Sequence, residues 1–347
     1  MKLKVGMLRY DTQRWQSEKT SLRLMRMEVA LEELEVAMAH DRFDPSQPLH
    51  AVFLSPEYMF ARRTPPEFND HTRAHVRQME VERRDKLLDR LRELSVQHPR
   101  ILIVPGTVAW RKPIDSAQDK FLGKITKYAT RLHEASRFNN QHVSGKPLGS
   151  YTLFGLEDSL PERLPVPTHD AKLDHLLSAT YVARNTAYCW LGGRCLYKYH
   201  KIGDFYEVIH QGAGGVDTVH VPAREVGRFP AVGLDISISI CADQSMADIQ
   251  KLESGELVFM QKTRDPVDIH ILLSANIQPA VSLANLKPKD SVLLSCSSHD
   301  DYNSAWQVSG ARLPHTDKGA LRVFDVNVRE PAAPGVPMLA AVPGANM

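Results

Sequence analysis

Three short segments of this chain each carry one reactive side chain: Val52-Phe-Leu-Ser-Pro-Glu57-Tyr58, Lys198-Tyr-His-Lys201 with Glu207 following, and Ile236-Ser-Ile-Ser-Ile-Cys241-Ala-Asp243. A thiol, a carboxylate and an ammonium suffice for nucleophilic acyl chemistry. Cys241 would supply the nucleophile, Glu57 the base that takes and returns protons, and Lys201 the charge that holds a developing oxyanion. Each residue type has a more ordinary fate. Most lone cysteines are structural, many loop acids are solvated, and most lysines at strand ends reach into water. The immediate contexts argue otherwise. Cys241 ends a strand in which Ile236, Ile238 and Ile240 alternate with Ser237 and Ser239, and a helix is expected just after it, where free N–H groups favour a thiolate. Glu57 follows an apolar run and is flanked by Tyr58, Met59 and Phe60, so lost hydration should raise its pKa. Lys201 sits in a segment that mixes Lys, His and aromatic residues, as pocket walls do, and Glu207 is placed to pair with it. Tyr58, Ala242, Asp243 and Gln244, beside the two candidate groups, are the expected substrate-pocket residues.

The elements that must position these groups follow from hydrophobic periodicity. Val5–Leu8, Ala51–Leu54 and Ile101–Val104 read as buried strands. Between them, the pattern predicts helices over Ser17–His40, with Leu24, Met27, Leu31, Leu34 and Met38 at helical spacing, and over Thr72–Gln97, with Met79, Leu87, Leu88, Leu91 and Leu94 on one side. This β-α-β-α-β order is that of an α/β layered fold. A helix over Ser116–Ser136 and a long surface excursion over Asn139–Thr168 come next. Ala179–Leu191 and Arg194–Tyr199 form a hairpin around Gly192-Gly193. Val216–Val221, Ala231–Ile240, Asp268–Ser274, Ser291–Ser295 and Leu321–Val328 are further expected strands, with a helix over Ser245–Leu252 after Cys241. No linker separates the three segments. The expectation is one domain over residues 1–330, followed by a Pro/Ala/Gly-rich tail, 331–347, that is disordered or serves as an oligomer arm.

The order Glu, Lys, Cys, each at a strand end, resembles the nitrilase superfamily, the carbon–nitrogen hydrolases. Three matches carry the resemblance: the apolar strand with Pro-Glu57-Tyr58, Lys198-Tyr-His-Lys201 with a downstream Glu, and the apolar strand with Cys241-Ala-Asp243. Weaker ones are Ile101–Gly106, Arg184-Asn-Thr-Ala187 and Asp268–Ser274. The resemblance implies a four-layer α-β-β-α sandwich and cleavage of a non-peptide carbon–nitrogen bond, most simply an amide, through a covalent acyl-enzyme. It implies Glu57 as base, Lys201 as oxyanion partner, Cys241 as nucleophile and Glu207 as supporting acid, with no cofactor, and homo-dimers or higher homo-oligomers paired across a helical face. Nitrile hydrolysis, carbamoyl-amine hydrolysis and acyl transfer use the same triad, and the sequence does not separate them. Glu57 and Lys201 stand 144 positions apart, which is long for such proteins; the surplus falls around residues 62–69 and 139–168, read as surface insertions near the site mouth.

Composition bounds the alternatives. The 347 residues carry a formal net charge of +2 and 43% hydrophobic residues, enough for a sizeable core and too balanced to point to nucleic acid or an anionic membrane. No stretch has the length of a membrane span, and the first residues are too soon interrupted by Arg9 and Asp11 for a secretory signal. Four cysteines in a chain of this length do not make a disulfide framework, so a reduced, cytoplasmic protein is expected. His71 and His75 have helical ligand spacing without the Glu or third ligand of a zinc site, so no metal is expected. From another functional class, a binding or signalling protein on a hydrolase scaffold would use the insertions as a recognition surface; stoichiometric labelling of Cys241 by iodoacetamide separates the two readings.

Overall fold

The computed structural model describes residues 1–12, 18–39, 41–61, 78–113, 181–201, 218–220, 227–241, 243–246, 249–251, 257–259 and 265–329. Glu207, Ala242, His71 and His75, both proposed insertions, the helix expected over Ser116–Ser136 and the tail 331–347 lie outside these residues.

Two sheets dominate. The larger contains β1 (Lys2–Leu8), β2 (Ala51–Leu54), β3 (Met79–Glu80), β4 (Ile101–Val104), β5 (Thr107–Pro113), β6 (Tyr181–Leu191), β7 (Arg194–His200), β8 (Thr218–His220), β16 (His315–Lys318) and β17 (Leu321–Asn327). Its order is β16-β17-β1-β2-β4-β6-β5-β3, with β7 and β8 also paired to β6. The second runs β15 (Ser304–Gln307), β14 (Val292–Ser297), β13 (Ile269–Ser274), β10 (Leu234–Ile240), β9 (Gly227–Ala231). A two-stranded ribbon joins β11 (Ile249–Lys251) to β12 (Leu257–Phe259). Each large sheet has a parallel centre: β1, β2 and β4 in one, and β10, β13 and β14 in the other. Of those strands β2 (AVFL) and β4 (ILIV) are continuous apolar runs, as parallel strands covered on both faces tend to be, whereas β10 alternates Ile with Asp and Ser.

One apolar cluster joins the sheets, with Val5, Val52, Leu54, Leu102 and Val104 from the first and Ile236, Ile238, Ile240, Ile271 and Leu273 from the second. The opposite face of the larger sheet, including Phe53, Ile101 and Ile103, packs under α1 (Thr20–Met38) and α2 (Val81–Gln97) through Met27, Leu31, Leu34, Leu87, Leu91 and Leu94. The periodicity of both helices thus does the work the sequence assigned to it. On the outer face of the second sheet, Leu272 and Leu293 pack against Ala284 with Val281 and Leu286, around a 3-10 turn at Val281–Leu283. A fourth layer of helices is not among the described residues.

Several local expectations need correction. Met79–Glu80 forms a strand and Glu80 is extended, so α2 starts at Val81 instead of Thr72. The expected strand Ala231–Ile240 is a hairpin, broken at Val232 and Gly233, both at positive φ (47° and 82°), the two-residue turn that matches strand twist. The helix expected over Ser245–Leu252 is a single turn, α3 (Asp243–Met246), and Ile249–Lys251 is a strand. Strands β5, β12, β15 and β16 were not expected from the sequence; β15 and β16 are short and carry polar residues, and β5 ends in Arg-Lys-Pro.

One core group gives the fold a pH dependence. His270, on β13 and 4% exposed, meets the Ser237 hydroxyl at 2.7 Å, and burial pushes its pKa down to about 4 from 6.5. The folded state therefore refuses a proton that the unfolded chain accepts. Stability should be complete above pH 6.5 and fall as pH drops toward 4, by about 2 kcal/mol between pH 7 and 5. Urea midpoints at the two pH values, compared between wild type and His270→Gln, read this difference; equal pH dependence in both proteins would rule His270 out as its source.

Candidate active site

Glu57 follows β2 after Ser55-Pro56, and its side chain is completely buried. Its Oε1 accepts hydrogen bonds from Lys201 Nζ at 2.8 Å and Asn185 Nδ2 at 3.0 Å, and its Oε2 accepts from the backbone N–H of Ala275 at 3.0 Å. Two neutral donors and an ammonium thus converge on one carboxylate. A buried carboxylate persists only with such a set of partners. Lys201, equally buried, follows β7, and its backbone N–H donates to Asn185 O at 2.8 Å. Asn185, on β6, therefore holds both members of the ion pair, one by side chain and one by backbone. Lys198, three positions earlier, is exposed, so the segment separates the two lysines as the sequence expected.

Cys241 follows β10 and is the first residue of a tight strand-to-helix turn, with φ at 54° and Gln244 N donating to its carbonyl at 3.2 Å. A non-glycine residue in this region stores roughly 1–3 kcal/mol, and such strain recurs at nucleophiles presented on strand-to-helix turns. The strain has a geometric effect. Alternation along β10 placed Cys241 with Ser237 and Ser239, yet it packs beside the inter-sheet cluster that contains Ile236, Ile238 and Ile240. The left-handed residue breaks the alternation. The single turn that follows is too short to act as the helix terminus expected to favour a thiolate. Cys241 is partly exposed, whereas Cys189 and Cys296 are buried, and burial pushes both of their thiols well up. Those two are inert core cysteines.

The end of β13 brings Glu57 and Cys241 together. Three consecutive residues serve both: Leu273 O accepts from Cys241 N at 2.7 Å, Ser274 O accepts from Glu57 N at 3.4 Å, and Ala275 N donates to the Glu57 carboxylate. Glu57, Cys241 and Ala275 all lie just past the carboxyl ends of parallel strands, the edge where open α/β sheets bind ligands. A cleft of about 600 Å³ opens on the same edge, lined by Tyr10, Ala275, Asn276 and Ser298 among others.

The neighbouring pocket candidates have structural partners. Tyr58 lies at φ 59°, and its hydroxyl and ring face Lys201 Nζ, at 3.4 Å and at 5.5 Å to the ring centroid. Asp243 is buried and accepts from the Tyr199 hydroxyl at 2.9 Å, and buried Gln244 donates to Ala280 O at 3.2 Å. Asp243 and Gln244 thus brace the Cys241 turn. Gly106, at φ 77°, lies so close beneath the Glu57 loop that a Cβ there would stand 2.2 Å from Pro56 O. Sequence reasoning missed Asn185, Ala275 and Gly106. Asn185 lay within a quoted match without a role, a backbone N–H leaves no mark in side-chain types, and the need for glycine depends on a close approach between two distant loops.

No family model matches the chain, and no curated protein matches it. Among solved structures it is similar to an amidase of the nitrilase superfamily from Nesterenkonia, at 12% identity, with 94% of this chain and 90% of that one covered and a TM-score of 0.43. It is also similar to a carbon–nitrogen hydrolase from Helicobacter pylori G27, at 9% identity over 94% of this chain and 89% of that one, with a TM-score of 0.45. A glutamine-dependent NAD+ synthetase from Acinetobacter baumannii aligns over 96% of this chain and 48% of its own length, at 11% identity and a TM-score of 0.46.

Proposed function

We propose that the chain is a cysteine-nucleophile hydrolase of the nitrilase superfamily that cleaves a non-peptide carbon–nitrogen bond, an amide by preference. The observation that supports this most is the buried Glu57 carboxylate, joined to Lys201 and anchored, like Cys241, on the end of β13. A buried ion pair is weak support for stability alone, since well-packed apolar residues would serve as well. Its position beside a partly exposed, strained cysteine favours chemistry.

In this reading Glu57 takes the Cys241 proton as sulfur adds to the carbonyl carbon. The tetrahedral oxyanion forms beside the Lys201 ammonium. Glu57 then returns the proton to the departing nitrogen, the C–N bond breaks, and ammonia or an amine leaves a thioester on Cys241. Water, losing a proton to Glu57, attacks that thioester; the carboxylic acid departs and the thiol is restored. Nitrile or carbamoyl-amine substrates, or an amine in place of water, would use the same groups. The reading extends to a four-layer sandwich, a supporting role for Glu207, a reduced cytoplasmic setting, and a homo-oligomer without nucleic-acid or membrane partners. No helix among the described residues is long and apolar enough to cross a membrane.

A panel of small amides, carbamoyl-amines and nitriles assayed for ammonia release, with mass analysis of the Cys241 peptide, tests the reading. Absence of both release and adduct across the panel would overturn it. Within that assay Lys201→Ala should lower kcat by about 10²–10³, the magnitude for one lost oxyanion donor. Exposed Lys198→Ala should do far less. Equal effects on folded proteins would show that the wrong lysine had been assigned.

A further inference from the structure

Arg23 lies on α1, distant in sequence from all three reactive segments, yet it is among the largest fully buried side chains of the described residues. Its Nη1 donates to Tyr58 O at 3.2 Å and to Met59 O at 2.9 Å. These are the carbonyls directly after Glu57. The rest of that loop is held elsewhere: Glu57 O accepts from the Thr12 hydroxyl at 2.9 Å, Tyr58 N donates to Thr107 Oγ1 at 2.9 Å, and Phe60 N donates to Thr107 O at 3.0 Å. Each backbone group of a buried loop must find a partner. The carbonyls of Tyr58 and Met59 find theirs in one guanidinium nitrogen, Nη1, whose two N–H groups can serve two acceptors at once.

The loop so held presents two groups to the Lys201 ammonium, Glu57 Oε1 at 2.8 Å and the Tyr58 hydroxyl at 3.4 Å. The left-handed conformation of Tyr58 turns its carbonyl toward α1 and its phenol toward Lys201. We propose that Arg23 is a positioning residue of the candidate site: by fixing the Tyr58 and Met59 carbonyls it fixes the loop that aims Lys201, and through Lys201 it sets the reactivity of Cys241. The inference rests on the reading of Glu57, Lys201 and Cys241 given above. A core arginine serving stability alone would affect melting and leave the reactivity of Cys241 in the folded protein unchanged.

The test is alkylation by iodoacetamide, followed across pH by peptide mass mapping in the full chain. Exposed Cys195 provides the internal reference. Arg23→Met should lower the Cys241-to-Cys195 rate ratio at pH 7 about tenfold, the loss expected when a thiolate's pKa rises by about one unit toward that of an ordinary cysteine. Lys201→Met should shift the midpoint the same way, and Arg23→Lys, which retains a charged donor, should recover part of the ratio. A folded Arg23→Met protein with the wild-type ratio and midpoint overturns the inference. If Arg23→Met does not fold, Arg23→Gln decides by the same criterion, and failure of both to fold assigns Arg23 to the fold alone and overturns it too. A wild-type profile in Lys201→Met instead rejects the reading of the site itself, whatever Arg23 does.

Discussion

Replacing Cys241 with alanine is expected to abolish turnover and leave the fold in place. Both halves of the expectation come from the same geometry. Cysteine at φ 54° already bears the strain of a Cβ in the left-handed region, and alanine has the same Cβ, so the substitution adds no backbone penalty. Cys241 is only partly buried, at the margin of the inter-sheet cluster, so little packed volume disappears and the stability change should stay within about 1 kcal/mol. The chemical loss is of another order. Without sulfur no thioester forms, and loss of a nucleophile in comparable covalent hydrolases costs about 10⁶ in kcat. Ammonia release per mole of folded protein, with the thermal midpoint as a check on folding, measures both quantities. Activity near wild type in a protein that melts normally would remove Cys241 from the mechanism. A lower midpoint with lost activity would indicate a structural cysteine.

How much of this was legible in the sequence differs from element to element, for physical reasons. The central parallel strands Ala51–Leu54 and Ile101–Val104 were readable to the residue because burial on both faces leaves a continuous apolar run bounded by polar or Pro and Gly residues. The helices on the larger sheet were readable from one apolar stripe each. The edges were not: β16, His315-Thr-Asp-Lys318, is held by backbone pairing to β17 and carries no apolar residue. At the site, Glu57 and Lys201 could each be singled out from residue type and strand-end position, but not their contact: the sequence offered Glu207 as the partner of Lys201, and the structure sets Glu57 against it. The shared anchor at Leu273–Ala275 could not, since it consists of backbone groups whose role arises only when β10 and β13 lie side by side. Arg23 was hidden for a related reason. An arginine in a helical pattern reads as a solvated position, and the loop that turns two carbonyls toward it, with Tyr10 and Glu18 nearby, helps make its burial tolerable.

Glu57→Gln should slow both half-reactions strongly and leave a covalent adduct on Cys241. The substitution is close in shape and far from neutral in its hydrogen bonding. Among the described residues three donors meet the carboxylate: Lys201 Nζ and Asn185 Nδ2 at Oε1, and Ala275 N at Oε2. A glutamine has one acceptor oxygen. With that oxygen toward Lys201 and Asn185, its NH₂ faces the Ala275 N–H, donor against donor, and a buried N–H left without an acceptor costs about 1–3 kcal/mol. The Lys201 ammonium also loses its buried counter-charge, so the variant should be less stable as well as slower. Chemically, the amide neither accepts the Cys241 proton nor activates water. A reactive acylating agent can still trap the thiolate, which Lys201 favours without a base. Hydrolysis of the thioester, which needs the base, then lags. The expected observation is a mass increase on the Cys241 peptide that persists in the variant and is absent from wild type at steady state. Normal turnover by the variant would make Glu57 a bystander whose three donors serve structure alone, and the search for the base would move to Glu207.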